Sequence, residues 1–264
     1  MNLPSNQGKP MFKPRFERLQ SLLGKTPVNI GHRGARGLAP ENTLVSFLVG
    51  SDSTHYFELD TMLCGSGELV VIHDFTVDRT TDGEGKVAEI PYRQLAELDA
   101  GGFFSEDFEG EQIPTLSQII QTLPENTVFD IELKSEGKRE EQENLAKAVV
   151  KLIRKFQLQN RIWVSSFDWE LVDLVRKEEP EVLRGLLIEK GESLNERYMD
   201  FEPDLILPHF SACSKEFVSK CNSESLLVIP YTPNTEEEWN SLIEAGVSGL
   251  ITDYPDRLAQ FLAK

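Results

Sequence analysis

Short apolar runs alternate along the chain with longer segments whose apolar residues recur at helical spacing, the pattern of parallel strands joined by helices. The runs predict strands at 28–32, 56–60, 69–73, 128–133, 162–167, 184–188, 205–210, 226–231 and 249–253. Helices are expected over 41–50, with Asn42 helping to cap its start, and over 115–123, 140–156, 169–177, 214–221, 235–245 and 255–263. The segment 140–156 shows the pattern well: Leu145, Val149, Leu152, Ile153 and Phe156 share one face, and charges occupy the other.

Nine strand-like runs are one more than a (β/α)8 barrel needs. Only Gly65-Ser66-Gly67 and its neighbours separate the second run from the third. That is too short for a parallel crossover, so these two runs form a hairpin. A turn centred near Ser66 pairs residues whose numbers sum to about 132, which brings Glu58 and Asp60 near His73 and Asp74. The expected fold is α/β: a TIM (β/α)8 barrel over 28–264, with a small insertion after strand 2 at about 75–112. Residues 1–27 form a lead-in, in which 16–23 is expected as a helix closing the barrel bottom.

Composition narrows the partners. The 44 acidic residues outnumber the 27 Lys and Arg for a net charge of -17, which opposes sequence-independent binding to nucleic acid and to anionic membrane surfaces. A 39% hydrophobic content still supports a cooperative core. No run of about 18 apolar residues occurs, and residues 1–25 lack the continuous apolar core of a signal peptide. A cytoplasmic protein with no stable membrane anchor is expected. Cys64, Cys213 and Cys221 are odd in number and lack metal-ligand spacing, so they are expected as buried or incidental thiols. The run Glu236-Glu237-Glu238 opens a helix, where acids complement the N-terminal dipole.

Active sites of such barrels lie at the C-terminal ends of the strands. There the chain places His32 and Arg33 after strand 1, Glu58 and Asp60 on strand 2, His73 and Asp74 after the hairpin, and Glu132 with Lys134 on the next strand. Glu58 and Asp60, two apart, point to one face, and Glu132 joins them from the adjacent strand. Converging carboxylates repel one another unless protonated or neutralised. An all-oxygen set with no cysteine points to a hard divalent cation, Mg²⁺ or Ca²⁺. The histidines suit general acid–base work at neutral pH, and Arg33 and Lys134 suit an anionic, phosphate-like substrate. His209 could face the same mouth, His55 reads as a surface or loop residue, and Phe167 with Phe103 or Phe104 are further wall candidates.

Gly31-His32-Arg33-Gly34, Pro40-Glu41-Asn42-Thr43, Glu58-Leu59-Asp60, His73-Asp74, Arg79-Thr80-Thr81-Asp82-Gly83-Glu84-Gly85 and Glu132-Leu133-Lys134 together resemble the glycerophosphodiester phosphodiesterase family. Order and spacing agree from about residue 28 to the C-terminus, including Ile113-Pro114-Thr115-Leu116, Ser165-Ser166-Phe167 and the closing stretch from Gly246 to Pro255. The resemblance implies a barrel enzyme that uses a divalent metal to hydrolyse small-molecule glycerophosphodiesters to sn-glycerol 3-phosphate and an alcohol. It implies acid–base roles for His32 and His73, metal ligation by Glu58, Asp60 and Glu132, and phosphate contact by Arg33 and Lys134. One stretch departs: Tyr231-Thr232-Pro233-Asn234 stands where the family usually carries Trp-Thr-Val-Asn. Tyr231 is thereby expected to wall the alcohol or glycerol pocket with a smaller apolar face and a hydroxyl. Two rivals stand beside this reading. A lysophospholipase D-like enzyme would want an apolar, membrane-facing rim, of which the acidic stretch 106–111 gives little sign. A non-catalytic glycerophosphodiester-binding protein would have lost a histidine or a ligand, and all are present. The preferred alcohol, the order in which the histidines act and the attacking oxygen, water or a glycerol hydroxyl, stay open at this level.

Overall fold

The structure, a computed structural model, describes residues 13–24 and 27–264; residues 1–12 and 25–26 of the expected lead-in lie outside the described residues. A nine-stranded sheet forms from β1 (Val28–Gly31), β2 (Tyr56–Leu63), β3 (Leu69–Val71), β4 (Val128–Leu133), β5 (Ile162–Ser166), β6 (Leu183–Ile188), β7 (Leu205–Pro208), β8 (Leu227–Val228) and β9 (Gly249–Thr252). Eight of them run parallel in the order β8-β7-β6-β5-β4-β2-β1-β9, and β3 pairs antiparallel with β2 and, at Val70, with Thr115. The hairpin register is Thr61 with Val71, Met62 with Val70 and Leu63 with Leu69, the pairing sum expected from a turn at Ser66. The eighth strand is shorter than its apolar run. Past Val228 the chain keeps backbone hydrogen bonds to both neighbours, and Tyr231 bridges His209 on one side and Ile251 on the other, closing the ring at its upper edge.

Helices cover the outside: α1 (Lys13–Leu23), α2 (Leu44–Gly50), α3 (Tyr92–Leu95), α4 (Leu116–Thr122), α5 (Arg139–Phe156), α6 (Trp169–Glu178), α7 (Lys215–Ser223), α8 (Glu236–Ala245) and α9 (Pro255–Leu262). Between β6 and β7 a 3-10 segment, Glu196–Phe201, takes the helix position. In α5 the acidic Glu140 and Glu141 open the helix and the basic Arg154 and Lys155 close it, matching the helix dipole. The acids of α8 include Glu238, which completes a capping box with Thr235. One expected cap differs. Helix α2 starts later than anticipated, and Thr43 caps it by accepting from the Ser46 N–H. Asn42 instead turns inward in a left-handed conformation, φ 62°.

Strand alternation sorts the core into layers. Phe57, Leu59, Phe129 and Ile131 face outward, under α4, α5 and α6. The inward layer at the bottom holds Val28, Val128, Trp163, Leu183 and Leu205, and α1 seals it with Leu19 and Leu23, both buried. Arg15 Nε pairs with Asp204 Oδ1 at 2.9 Å and fixes that seal to the foot of β7. Above the apolar layer the inward positions become Glu58, Asp60, Asp130 and Glu132. The insertion has its own small core of Val70, Ile72, Val77, Val87, Leu95 and Ile113.

Gly31, at the end of β1, has no room for a side chain: an added Cβ would lie 2.1 Å from the Gly34 carbonyl oxygen and 2.9 Å from the Phe57 ring. Gly31→Ala is expected to cost about 1–3 kcal/mol, as overpacking does, read as a lower urea midpoint. An unchanged midpoint would contradict this tight approach of the first loop to β2.

Candidate active site

The first loop, the hairpin and β4 converge at the upper mouth of the barrel. His32 and Arg33 follow β1; Arg33 takes a left-handed backbone, φ 49°, and its N–H donates to Glu58 Oε2 at 3.0 Å. Register places Glu58 opposite Asp130 and Asp60 opposite Glu132. Oxygens of Glu58, Asp60 and Glu132 all lie within 4.8 Å of one another, and all three residues are buried. Glu58 and Glu132, together with His32, Arg36, His73, Lys134, Phe167 and Tyr231, line a cavity of about 250 Å³; Asp60 is fully buried and does not line it. A larger depression of about 420 Å³ lies on the outer flank between the hairpin turn, α4 and α5. No histidine lines it, so the chemistry selects the smaller cavity.

Electrostatics separates the three carboxylates. Burial alone would raise Asp60, but Arg33 Nε at 3.1 Å and Lys134 Nζ at 3.2 Å hold it well below the usual carboxylate range. Glu58 is pushed well up by burial and then by the charges of Asp60 and Glu132. Glu132 rises to about 7 through burial, even though Lys134 is in close contact with it. Asp130, one layer below, also rises to about 7 through burial, against a 2.6 Å hydrogen bond from Ser165 Oγ. Glu58 Oε1 has no partner among the described residues, and Asp60 Oδ1 and Glu132 Oε1 are faced by Lys134 without hydrogen-bond geometry. Three buried, hard carboxylate oxygens, of which Glu58 Oε1 has no partner among the described residues, suit Mg²⁺ or Ca²⁺ and give a thiolate-seeking metal nothing to bind.

Both histidines are held from behind. His32 Nδ1 lies 2.6 Å from Asp253 Oδ1, and His73 Nδ1 lies 2.6 Å from Asp74 Oδ1. A carboxylate acceptor fixes the Nδ1–H tautomer and leaves Nε2 as the basic nitrogen. His32 Nε2 stands 3.9 Å from Glu58 Oε2. Burial lowers both histidines from the ordinary imidazole value, most directly opposed by Asp253 at His32 and by Asp60 at His73. One buried carboxylate, Glu41, organises this side. It accepts from Arg33 Nη1 at 2.7 Å, Arg36 Nε at 3.0 Å, and Arg79 Nη2 and Nη1 at 2.8 and 3.1 Å.

Comparison with known proteins decides the family. The profile of the glycerophosphoryl diester phosphodiesterase family matches residues 32–257. The chain belongs to this family. A glycerophosphodiester phosphodiesterase of Caldanaerobacter subterraneus subsp. tengcongensis is 34% identical over 243 residues, which are 89% of this chain and 97% of the relative. A phosphodiesterase structure from Oleispira antarctica, in complex with the product sn-glycerol-3-phosphate, superimposes with a TM-score of 0.84 at 29% identity, covering 90% of this chain and 97% of the other. A glycerophosphodiester phosphodiesterase structure from Agrobacterium tumefaciens gives 0.75 at 26% identity, covering 88% and 98%.

In this glycerophosphoryl diester phosphodiesterase family barrel, His32, His73, Arg33, Lys134, Tyr231, Glu58, Asp60 and Glu132 gather at one mouth. Several expectations change. The Tyr231 hydroxyl donates to the Ile188 carbonyl at 2.8 Å, so only its ring is presented to the cavity. Phe167 lines the cavity, whereas Phe103 and Phe104 stand exposed on the insertion and do not. His209 bonds to Ser211 and opens a short 3-10 turn; its ring packs on Tyr231 and does not line the mouth. Asn42 is part of the site rather than a cap, donating to Asp60 Oδ2 at 2.8 Å. Asp253, Glu41 and Arg36 were not anticipated; the Asp253 signal was its place at the C-terminal end of the last strand. Among the described residues, no helix is long and apolar enough to cross a membrane.

Glu132 sets a pH dependence. Between its ordinary value of 4.5 and about 7 the folded chain keeps a proton that the unfolded chain has released, so this group lowers stability progressively as pH rises through that window. With divalent cations chelated, Glu132→Gln is therefore expected to gain stability relative to wild type on going from about pH 5 to about pH 8 in urea denaturation. A difference that stays constant, or shrinks, across that range would contradict the electrostatic assignment.

Proposed function

We propose that this chain hydrolyses glycerophosphodiesters to sn-glycerol 3-phosphate and an alcohol, using a divalent cation, Mg²⁺ or Ca²⁺, and His32 and His73 as the proton-transferring pair. One observation carries the reading: two histidines, each fixed at Nδ1 by a carboxylate 2.6 Å away, line one cavity with two of three buried, clustered carboxylates. The names of the relatives and the sn-glycerol-3-phosphate held by the Oleispira antarctica protein support the substrate class. We assign residues 28–264 to a single catalytic unit, with 75–112 as its insertion.

Glu58, Asp60 and Glu132 would hold the cation, which when bound supplies Lewis acidity toward the phosphoryl oxygens. Arg33 and Lys134 bind and orient the phosphodiester, and their charge matters more as electron density builds on its oxygens. Asp253 and Asp74 hold the imidazoles so that each Nε2 is the working nitrogen. One Nε2 takes the proton from the attacking oxygen, and the other histidine, protonated there, donates to the departing alkoxide. The Tyr231 ring and Phe167, in edge-to-face contact at 5.8 Å, wall the mouth and keep bulk water from that side. Asn42 and the left-handed turn at Arg33 hold Asp60 and Glu58 in place before substrate arrives.

The test is turnover of sn-glycero-3-phosphocholine, read as sn-glycerol 3-phosphate and choline, with lysophospholipid assayed in parallel. His32→Ala and His73→Ala should each lose on the order of 10²-fold or more in kcat. Exhaustive chelation should abolish turnover, and Mg²⁺ or Ca²⁺ should restore it. Near-normal kcat in either variant overturns the acid–base pair, and full activity after chelation overturns the cation. Preference for lysophospholipid would favour the lysophospholipase D-like rival.

A further inference from the structure

The cations around the mouth are not equally engaged. Arg33 and Lys134 are nearly buried, and each is pressed against two carboxylates: Arg33 against Glu41 and Asp60, Lys134 against Asp60 and Glu132. Arg79 reaches Glu41 with both Nη nitrogens and Asp74 with Nε and Nη2. Arg36 differs. Its Nε alone is bonded, to Glu41 Oε2 at 3.0 Å. Its Nη1 stands 3.7 Å from Asp253 Oδ2, an oxygen that already accepts from Asn234 Nδ2 at 2.8 Å. Among the described residues neither Nη nitrogen of Arg36 has a hydrogen-bond partner, yet the residue lines the cavity and its side chain is 40% exposed.

A guanidinium clamped at Nε is a fork held at its base. The entropy of its long side chain is already partly spent by Glu41, and the free edge is the geometry that takes a carboxylate or a phosphate with two parallel N–H donors. On the proposed reading the phosphodiester is taken by Arg33 and Lys134, which are more buried than Arg36, and by the cation that Glu58, Asp60 and Glu132 would hold. The unbonded edge of Arg36 lies beside the His32–Asp253 pair, apart from the Asp60–Lys134 contacts. We infer that Arg36 is a specificity-determining residue that recognises an anionic group on the alcohol moiety, so that the enzyme favours diesters whose alcohol carries a carboxylate or a phosphate over those whose alcohol does not. This rests on the proposed phosphodiesterase activity.

sn-Glycero-3-phosphoserine and sn-glycero-3-phosphoethanolamine differ by one carboxylate and make the direct comparison. Wild type should show the higher kcat/KM for the serine diester, and Arg36→Gln should reduce the serine-to-ethanolamine ratio by about tenfold, mainly through KM. A third diester, with a phosphate monoester on its alcohol, tells which anion fits the fork better; either one favoured over ethanolamine in an Arg36-dependent way supports the inference. No preference in wild type overturns it. Equal losses on both substrates also overturn it, because they place Arg36 on the phosphodiester or make it a support for Asp253. The same ratio is read as equilibrium binding of the two diesters to His73→Ala and to His73→Ala/Arg36→Gln. That readout judges Arg36 even if wild type turns over neither diester, an outcome that would contradict the proposed activity by itself. Equal binding ratios in the two proteins would overturn the inference.

Discussion

Three carboxylates are forced into one buried mouth, and the arrangement of the upper barrel follows from that constraint. Inward-facing positions of two adjacent parallel strands bring Glu58, Asp60 and Glu132 together, with Asp60 directly opposite Glu132. Removing an ionised carboxylate from water costs several kcal/mol even after relaxation, so each needs a cation or a proton. Asp60 takes the cations of Arg33 and Lys134. Glu58 and Glu132 are left with raised pKa values, and Glu58 Oε1 has no partner among the described residues. On the proposed reading, a divalent ion entering the cluster would displace these protons, since the ligands must be deprotonated to bind it.

The cationic side is built to the same end. Arg33 reaches Asp60 from a left-handed backbone, with its guanidinium also held by Glu41. Glu41, beside three arginines, stays ionised far below the ordinary range despite its burial. The two histidines inherit different surroundings from this network. His32 is nearly buried and backed by Asp253, whose other oxygen is held by Asn234. His73 is about a third exposed and backed by Asp74, which Arg79 grips with two nitrogens. Asp74 is hydrogen-bonded twice by an arginine, whereas Asp253 has Arg36 only at 3.7 Å, so the two positions are chemically unequal although both present Nε2.

Much of this was legible in the sequence because it is governed by periodicity and chain length. Two-residue alternation placed Glu58, Asp60 and Glu132 on one face, and the shortness of the Gly65–Gly67 turn required the hairpin that returns at His73. What escaped depends on side-chain reach between distant segments. Asp253 lies 221 residues from His32, and nothing in local patterning pairs them. Asn42 looked like a cap because Asn is a good one, but Thr43 serves equally and frees Asn42 to bond Asp60. Tyr231 was placed in the wall by resemblance; its hydroxyl was spoken for by a carbonyl of β6, a contact that depends on how the short β8 closes the ring.

The central claim is that the Glu58–Asp60–Glu132 cluster is a cation site kept partly protonated until it is filled. Calorimetric titration of chelator-treated protein with Ca²⁺ or Mg²⁺ near neutral pH, repeated in buffers of different ionisation enthalpy, measures both halves at once. The account predicts saturable binding of one cation per chain with net proton release, and loss of both in Glu132→Gln. Binding without proton release, or undiminished binding in that variant, would contradict it.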